Sequence, residues 1–264
     1  MSEICFVPDS QVIFPPVFLT NIEGLPHPSC IYKDCFDLLK KQYTYLILPS
    51  GKTDFSNLIL EKLQKFLAII DSEIGNARTK QATKDEFIAK TRSRLRAVNT
   101  FGRHFGDLVL FWETSKEYFW SLVAKDHSLV RKEMIQLATN KMSVFFRICE
   151  GHEVEFSIDE ENLSNGLYVL IKGARTKGTL RHFAHDPDLL ILADCFIYKN
   201  KRFLEGLMYL ITDDGELYGT ASEIIQHPNM VFEDFNTTDR FIGFEPIRPR
   251  KFVDDFKTSP KKAR

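Results

Sequence analysis

Met208-Tyr209-Leu210-Ile211-Thr212-Asp213-Asp214-Gly215-Glu216-Leu217 is the stretch on which the reading of this chain turns. A short apolar run of strand length ends in a hydroxyl and two carboxylates, and helical spacing resumes near residues 218–226. Working outward, three other segments share this form: an apolar run with an acid at one end. They are Cys5-Phe6-Val7-Pro8-Asp9-Ser10, Leu46-Ile47-Leu48-Pro49 with Asp54 beyond it, and Asp186-Pro187-Asp188-Leu189-Leu190-Ile191-Leu192-Ala193-Asp194. In an open parallel sheet, strand ends line one edge, where ligands bind. Carboxylates gathered there repel one another unless a cation sits between them, which points to a hard divalent metal held by oxygen ligands.

The remaining pattern suits that sheet. Residues 3–8 and 44–48 read as buried strands, since both are short apolar runs. A Pro-rich loop from residue 15 leads to a helix near Tyr32–Lys41. Phe55, Leu58, Ile59, Leu63, Phe66, Leu67 and Ile70 recur at helical spacing and predict a helix capped by Thr53 or Asp54. Residues 71–150 read as a large helical insertion, with helices near 84–98, 114–124 and 127–141 and one strand candidate at Leu108–Trp112. The alternation Val154, Phe156, Ile158 predicts a further strand within an acidic cluster. Helices near 162–172 and 188–198, the strand at Met208–Thr212, a helix near 218–226 and a last strand at Met230–Phe232 complete an alternating order that argues for a parallel sheet wound by helices. The expected organisation is one domain over residues 1–247 and a basic, disordered tail over 248–264.

The totals bound the class. The chain has 264 residues, 44% hydrophobic and 27% charged, with a formal net charge of −1, so global charge does not argue for a polyanionic partner. The cysteines, Cys5, Cys30, Cys35, Cys149 and Cys195, are odd in number and form no Cys-x-x-Cys pair. A disulfide framework or zinc ribbon is therefore not expected, and free thiols suit a reducing compartment. No apolar run approaches a membrane span of about 20 residues, and the N-terminus does not read as a signal peptide. The expectation is an intracellular, cytoplasmic protein. No Walker loop, Gly-x-Gly-x-x-Gly or Gly-x-Ser-x-Gly motif is present.

The acidic segments resemble those of the PIN domain family of metal-dependent nucleases. Val7-Pro8-Asp9-Ser10 is similar to the family's opening strand, Leu46-Ile47-Leu48-Pro49 to its second, Asp188-Leu189-Leu190-Ile191-Leu192-Ala193 to its third motif, and Ile211-Thr212-Asp213-Asp214 to its fourth. Gln11 departs mildly from the first motif, and Gly51-Lys52-Thr53 replaces the usual apolar residues after the second, where Asp54 or Glu61 would stand for the family's acid. The resemblance covers roughly residues 3–70 and 150–235. It implies an α/β, PIN-like Rossmannoid three-layer fold with a central, mostly parallel sheet and a large helical insertion.

It also implies an endonuclease that hydrolyses phosphodiester bonds, in RNA by family analogy, with Mg²⁺ or Mn²⁺ on carboxylate oxygens. Asp9 would be the central ligand, Asp188 and Asp214 would flank it, and Asp54 and Asp213 would be further ligands. Ser10 and Thr212 would orient waters or a phosphate. Arg175, Lys177 and Arg181 precede the third motif and would touch substrate. Arg92 and Arg96 share a helix face in the basic stretch Arg78–His104 and would track a single-stranded RNA backbone. A second copy of the chain or an inhibitory protein is a further partner to consider. Each feature also has a plainer reading: strand-end aspartates cap helices and turns, and a basic helix face is commonly just solvated. The alternative from another class is a catalytically silent PIN-fold module that binds nucleic acid or protein. A phosphatase of the haloacid-dehalogenase type is disfavoured, because no second Asp stands two residues after Asp9.

Overall fold

The computed structural model describes residues 3–19, 31–98, 105–182, 184–231 and 243–257. The elements run β1 (Ile4–Pro8), α1 (Ser10–Phe18), α2 (Ile31–Gln42), β2 (Thr44–Tyr45), α3 (Pro49–Thr79), α4 (Lys84–Ala97), α5 (Phe105–Ser121), α6 (His127–Cys149), α7 (Ile158–Thr176), α8 (Asp186–Lys201), β3 (Leu207–Ile211), α9 (Gly215–Gln226), β4 (Phe244–Ile247) and α10 (Pro249–Phe256). The class is α/β, with a four-stranded, all-parallel sheet in the order β2-β1-β3-β4. By compactness the chain divides into two units. One comprises residues 1–13, 31–55 and 149–264, and the other residues 14–30 and 56–148.

The first unit holds the sheet. Its central strands are apolar because helices cover both faces, as buried parallel strands require. The faces are legible from the pleat. On one, Phe6 stacks on Tyr209 at 5.4 Å and meets the rings of Phe252 and Phe256 from α10 at 5.0 and 5.3 Å. On the other, Phe244 of β4 meets Phe196 of α8 at 5.1 Å. Burying an aromatic ring of this kind contributes about 1.5–3 kcal/mol. The register pairs Pro8 with Ile211, and Asp9 N–H continues the ladder by donating to the Ile211 carbonyl at 2.9 Å.

Several expectations are corrected. The helix expected to begin at Thr53 or Asp54 begins at Pro49, a position where proline's missing N–H costs nothing. Thr53 lies inside it, its hydroxyl donating to the Pro49 carbonyl at 3.2 Å. Pro15 and Pro16, read as loop, sit inside α1. No strand forms at 154–158. Ser157 instead caps α7 in a reciprocal box with Glu160, which leaves Ile158 77% exposed. Only the bridge between Ile47 and Glu153 extends the pairing there. Pro228–Met230 is a 3₁₀ turn rather than a strand, Phe232 lies outside the described residues, and the last described strand is β4. The tail expected to be disordered from 248 is helical over Pro249–Phe256, because Phe252 has a fully buried place on the sheet. The end of that tail, from 258, lies outside the described residues.

The regular elements of the second unit, among the described residues, are all helices. Leu108–Trp112, expected as a strand, is part of α5, whose residues Leu108, Trp112, Ser115 and Phe119 are all buried at helical spacing. Phe119 stacks on Trp112 at 5.9 Å and meets Phe66 of α3 at 6.0 Å. Arg78 ties the end of α3 to the turn after α5 by donating to the carbonyls of Leu122 and Val123, each at 2.7 Å, and of Lys125. Lys141 is buried in α6, with its ammonium donating to the Phe18 carbonyl at 2.9 Å and lying 4.7 Å from the Phe111 ring centre.

Burial depresses the Lys141 amine from its ordinary value to about 7. The unfolded chain therefore binds more protons than the native state between that value and 10.5, so stability rises with pH across this window. Each unit of depression corresponds to about 1.4 kcal/mol. Lys141→Met is expected to flatten the rise between neutral pH and the onset of thiol ionisation, read as urea midpoints over a pH series. Parallel curves for the two proteins would contradict the assignment.

Candidate active site at the carboxyl edge of the sheet

Four chain segments reach the carboxyl edge of the sheet. Asp9 and Ser10 leave β1, Ser50 follows β2, Thr212–Asp214 leave β3, and Arg248 leaves β4. Helix α8 ends shortly before β3 begins at the opposite edge, so its N-terminal turn, with Asp188, returns to the carboxyl edge.

Asp9 is the centre of the described network and has no solvent exposure. Its Oδ1 accepts from Ser10 N–H at 2.5 Å and its Oδ2 from the Thr212 hydroxyl at 2.8 Å. The Thr212 oxygen in turn accepts the Asp214 N–H at 3.1 Å. Both donors to Asp9 are uncharged, and each carboxylate oxygen keeps a second lone pair. Asp214 is the N-cap of α9, its Oδ1 accepting from the N–H groups of Glu216 and Leu217 at 2.8 and 2.9 Å. The capping reading of Asp214 therefore holds, whatever else the residue does. Asp213 faces outward. Tyr32 donates to its Oδ2 at 2.8 Å, and Arg248 donates to its carbonyl at 2.6 Å. Asp188 is buried in the first turn of α8. Asp54 is half-buried and lies within α3 rather than at its start.

A sixth carboxylate lies in α8. Asp194 is 96% buried in α8. Its Oδ2 accepts from Ser50 N–H at 2.9 Å and from the Ser50 hydroxyl at 2.5 Å, and its Oδ1 from the Ser164 hydroxyl of α7 at 2.5 Å. The next residue, Cys195, is buried, and burial first, then the charges of Asp194, Cys5 and Asp9, hold its thiol well above the usual range. The sequence carried a signal for Asp194: a lone carboxylate inside a helix apolar on every side must be buried, and so must be satisfied.

Of the expected basic side chains, those of Arg175 and Arg92 are engaged. Arg175 donates to the Ala184 carbonyl and to Asp186, each at 2.8 Å, and Lys172 donates to the same carboxylate at 2.6 Å. Those cations hold the Asp186 carboxyl below its ordinary value, the Lys172 hydrogen bond contributing most. Lys177 is the C-cap of α7. The backbone N–H of Arg181 donates to Glu223 at 2.9 Å while its side chain is exposed. Arg92 and Arg96 belong to the second unit, where Arg92 pairs with Glu113 at 2.6 Å and Arg96 is exposed. Arg94 and Lys84 of the same helix pair with Glu73 and Glu117.

No family model matches the chain, and neither does any curated protein or any solved structure. The site must be weighed by its own chemistry. Its donors are carboxylate and hydroxyl oxygens, which suit Mg²⁺ or Mn²⁺ in kind. Among the described residues, no group of three or more His, Cys, Asp or Glu side chains forms a ready metal cluster. No helix among them is long and apolar enough to cross a membrane.

The Thr212 hydroxyl both donates to a buried carboxylate and accepts a backbone N–H. Thr212→Val keeps the shape and removes both bonds. It is expected to destabilise the protein by about 1–3 kcal/mol, with Thr212→Ser recovering most of the loss, as read from urea unfolding. A valine variant as stable as the native protein would show that Asp9 does not depend on this hydroxyl.

Proposed function

We propose that the chain is a PIN-like, divalent-metal-dependent endonuclease acting on single-stranded RNA. The observation that carries the reading is Asp9. It is a fully buried carboxylate at the carboxyl end of an inner parallel strand, oriented from both sides by neutral donors and bearing lone pairs to spare. Keeping such a group in its charged form is costly in a low-dielectric interior. A cation drawn to the open edge of the sheet is one way to offset that cost.

In this reading Asp9 holds Mg²⁺ or Mn²⁺, with Asp188 from α8 as the next ligand. Asp214 contributes through the oxygen that does not cap α9. Thr212 fixes the Asp9 carboxylate so that its free lone pairs face one direction, and Ser10 N–H prevents the group from rotating away. Asp194 is a positioning residue, since it ties the start of α3 to α7 and α8. A bound divalent ion supplies a water of lowered pKa and neutralises charge developing on the phosphate.

A second reading is supported by the engagement of the other acids. Asp186 and Asp213 are held by cations and Asp214 by helix N–H groups, as in a module that binds nucleic acid without cutting it. Incubation of labelled single-stranded RNA with Mn²⁺ separates the two. Cleavage is expected for the native chain and not in EDTA. Asp9→Asn and Asp188→Asn are expected to slow it about 100-fold or more, with melting temperatures confirming that both variants fold. Equal rates in all three proteins would overturn the endonuclease reading, and metal-independent binding without turnover would establish the silent module.

A further inference from the structure

One face of α9 carries only small side chains at Gly215, Gly219 and Ser222, and a cleft of about 440 Å³ opens along it. The imidazole of His182 lies directly on the helix backbone at Gly219, where an added Cβ would stand 2.3 Å from its Nδ1. A side chain at that position would expel the ring from the cleft. Tyr218 lines the wall, and the Arg248 guanidinium lies 4.4 Å over its ring. His227, the C-cap of α9, closes the far end.

Arg181 and Arg248 line this cleft with the carboxylate of Glu223, and Arg248 also stands 3.4 Å from the Asp213 carboxylate. Glu223 already accepts the Arg181 backbone N–H at 2.9 Å, so part of its charge is offset by the main chain. Glu216 stands outside the lining, 3.6 Å from His182. Arg248 also links the cleft to the acidic edge, because the guanidinium that lines it donates to the Asp213 carbonyl at 2.6 Å. One polar groove therefore runs from the Asp213–Asp214 loop along α9. Arginine forks suit phosphate oxygens, and the Arg248 guanidinium is held in place on the half-buried Tyr218 ring.

We propose that this cleft binds a backbone phosphate of single-stranded nucleic acid between Arg181 and Arg248, so that the strand runs along α9 toward the acidic loop. The inference rests on the nucleic-acid reading above and gives the strand its path. It does not require cleavage. Gly215 leaves room for the sugar-phosphate chain, the arginines neutralise it, and Arg248 anchors it beside the carboxylates.

Fluorescence anisotropy with a labelled oligouridylate of about a dozen nucleotides, in EDTA to prevent turnover, tests it. The native chain is expected to bind with an affinity that falls as salt rises from about 50 to 200 mM. Arg181→Gln, which keeps the backbone bond to Glu223, is expected to weaken binding about 3- to 10-fold and to reduce the salt slope by about 0.7. Ser222→Glu is expected to weaken it more than Ser222→Gln, which adds similar bulk without charge. No binding by the native chain, unchanged affinity in Arg181→Gln, or equal losses in the two Ser222 variants would overturn the cleft. The two proposals fail separately. Salt-sensitive binding lost in the cleft variants, without any Mn²⁺-dependent cleavage, keeps the cleft and removes the endonuclease. Asp9-dependent cleavage with cleft variants binding normally does the reverse.

Discussion

The hydrogen bond between the Thr212 hydroxyl and the buried Asp9 carboxylate depends on the parallel pairing of β1 with β3 and depends on nothing looser. A carboxylate with no solvent contact must be met by donors fixed in place. Pro8 opposite Ile211 fixes them, since the next residues on each strand are then Asp9 and Thr212. Sliding either strand by one residue would turn every side chain to the other face. It would separate Tyr209 from Phe6 and leave Asp9 without its hydroxyl. The packing of Phe6 on Tyr209 and the hydrogen bond at Asp9 therefore specify the same register.

Helices before and after β3 carry this constraint outward. Asp194 pins α8 to Ser50 and Ser164, so that the helix leading into β3 is tied to the helix after β2 and to α7. Asp214 starts α9 as soon as β3 ends, by taking two N–H groups that would otherwise be unpaired. β4 then closes the far side, with Arg248 reaching back to the loop before α9. Each acid near the edge thus has a structural task. Asp9 and Asp194 are both buried and met by uncharged donors, and of the two Asp9 is the one at the end of a sheet strand.

Much of this frame was legible in the residues. The runs Cys5–Pro8 and Met208–Ile211 are short, apolar and bounded by turn formers, and both are inner strands. The failures have physical causes. Leu108–Trp112 looked like a strand because Leu108-Val109-Leu110-Phe111-Trp112 is an unbroken apolar run, within which periodicity does not mark the buried face. β4 was hidden by Pro246, which an edge strand tolerates when its missing N–H faces away from the sheet. Val154–Ile158 alternates as a strand would, yet Ser157 and Glu160 already spelled a capping box. Reading that box first would have started a helix at Ile158. The site divides in the same way. Asp9, Thr212 and Asp214 could be placed because strand ends locate them. The serines that hold Asp194, and the Glu113 that occupies Arg92, lie far along the chain, where no local pattern points to them.

The proposed endonuclease requires the Asp9 carboxylate to hold a divalent ion at the carboxyl edge of the sheet. Crystals of the native chain soaked in Mn²⁺ test it directly through the anomalous scattering of the metal. The account predicts an anomalous peak about 2.0–2.6 Å from an Asp9 carboxylate oxygen, absent from crystals of Asp9→Asn. A native map with no peak at Asp9, or one unchanged by the substitution, would contradict it.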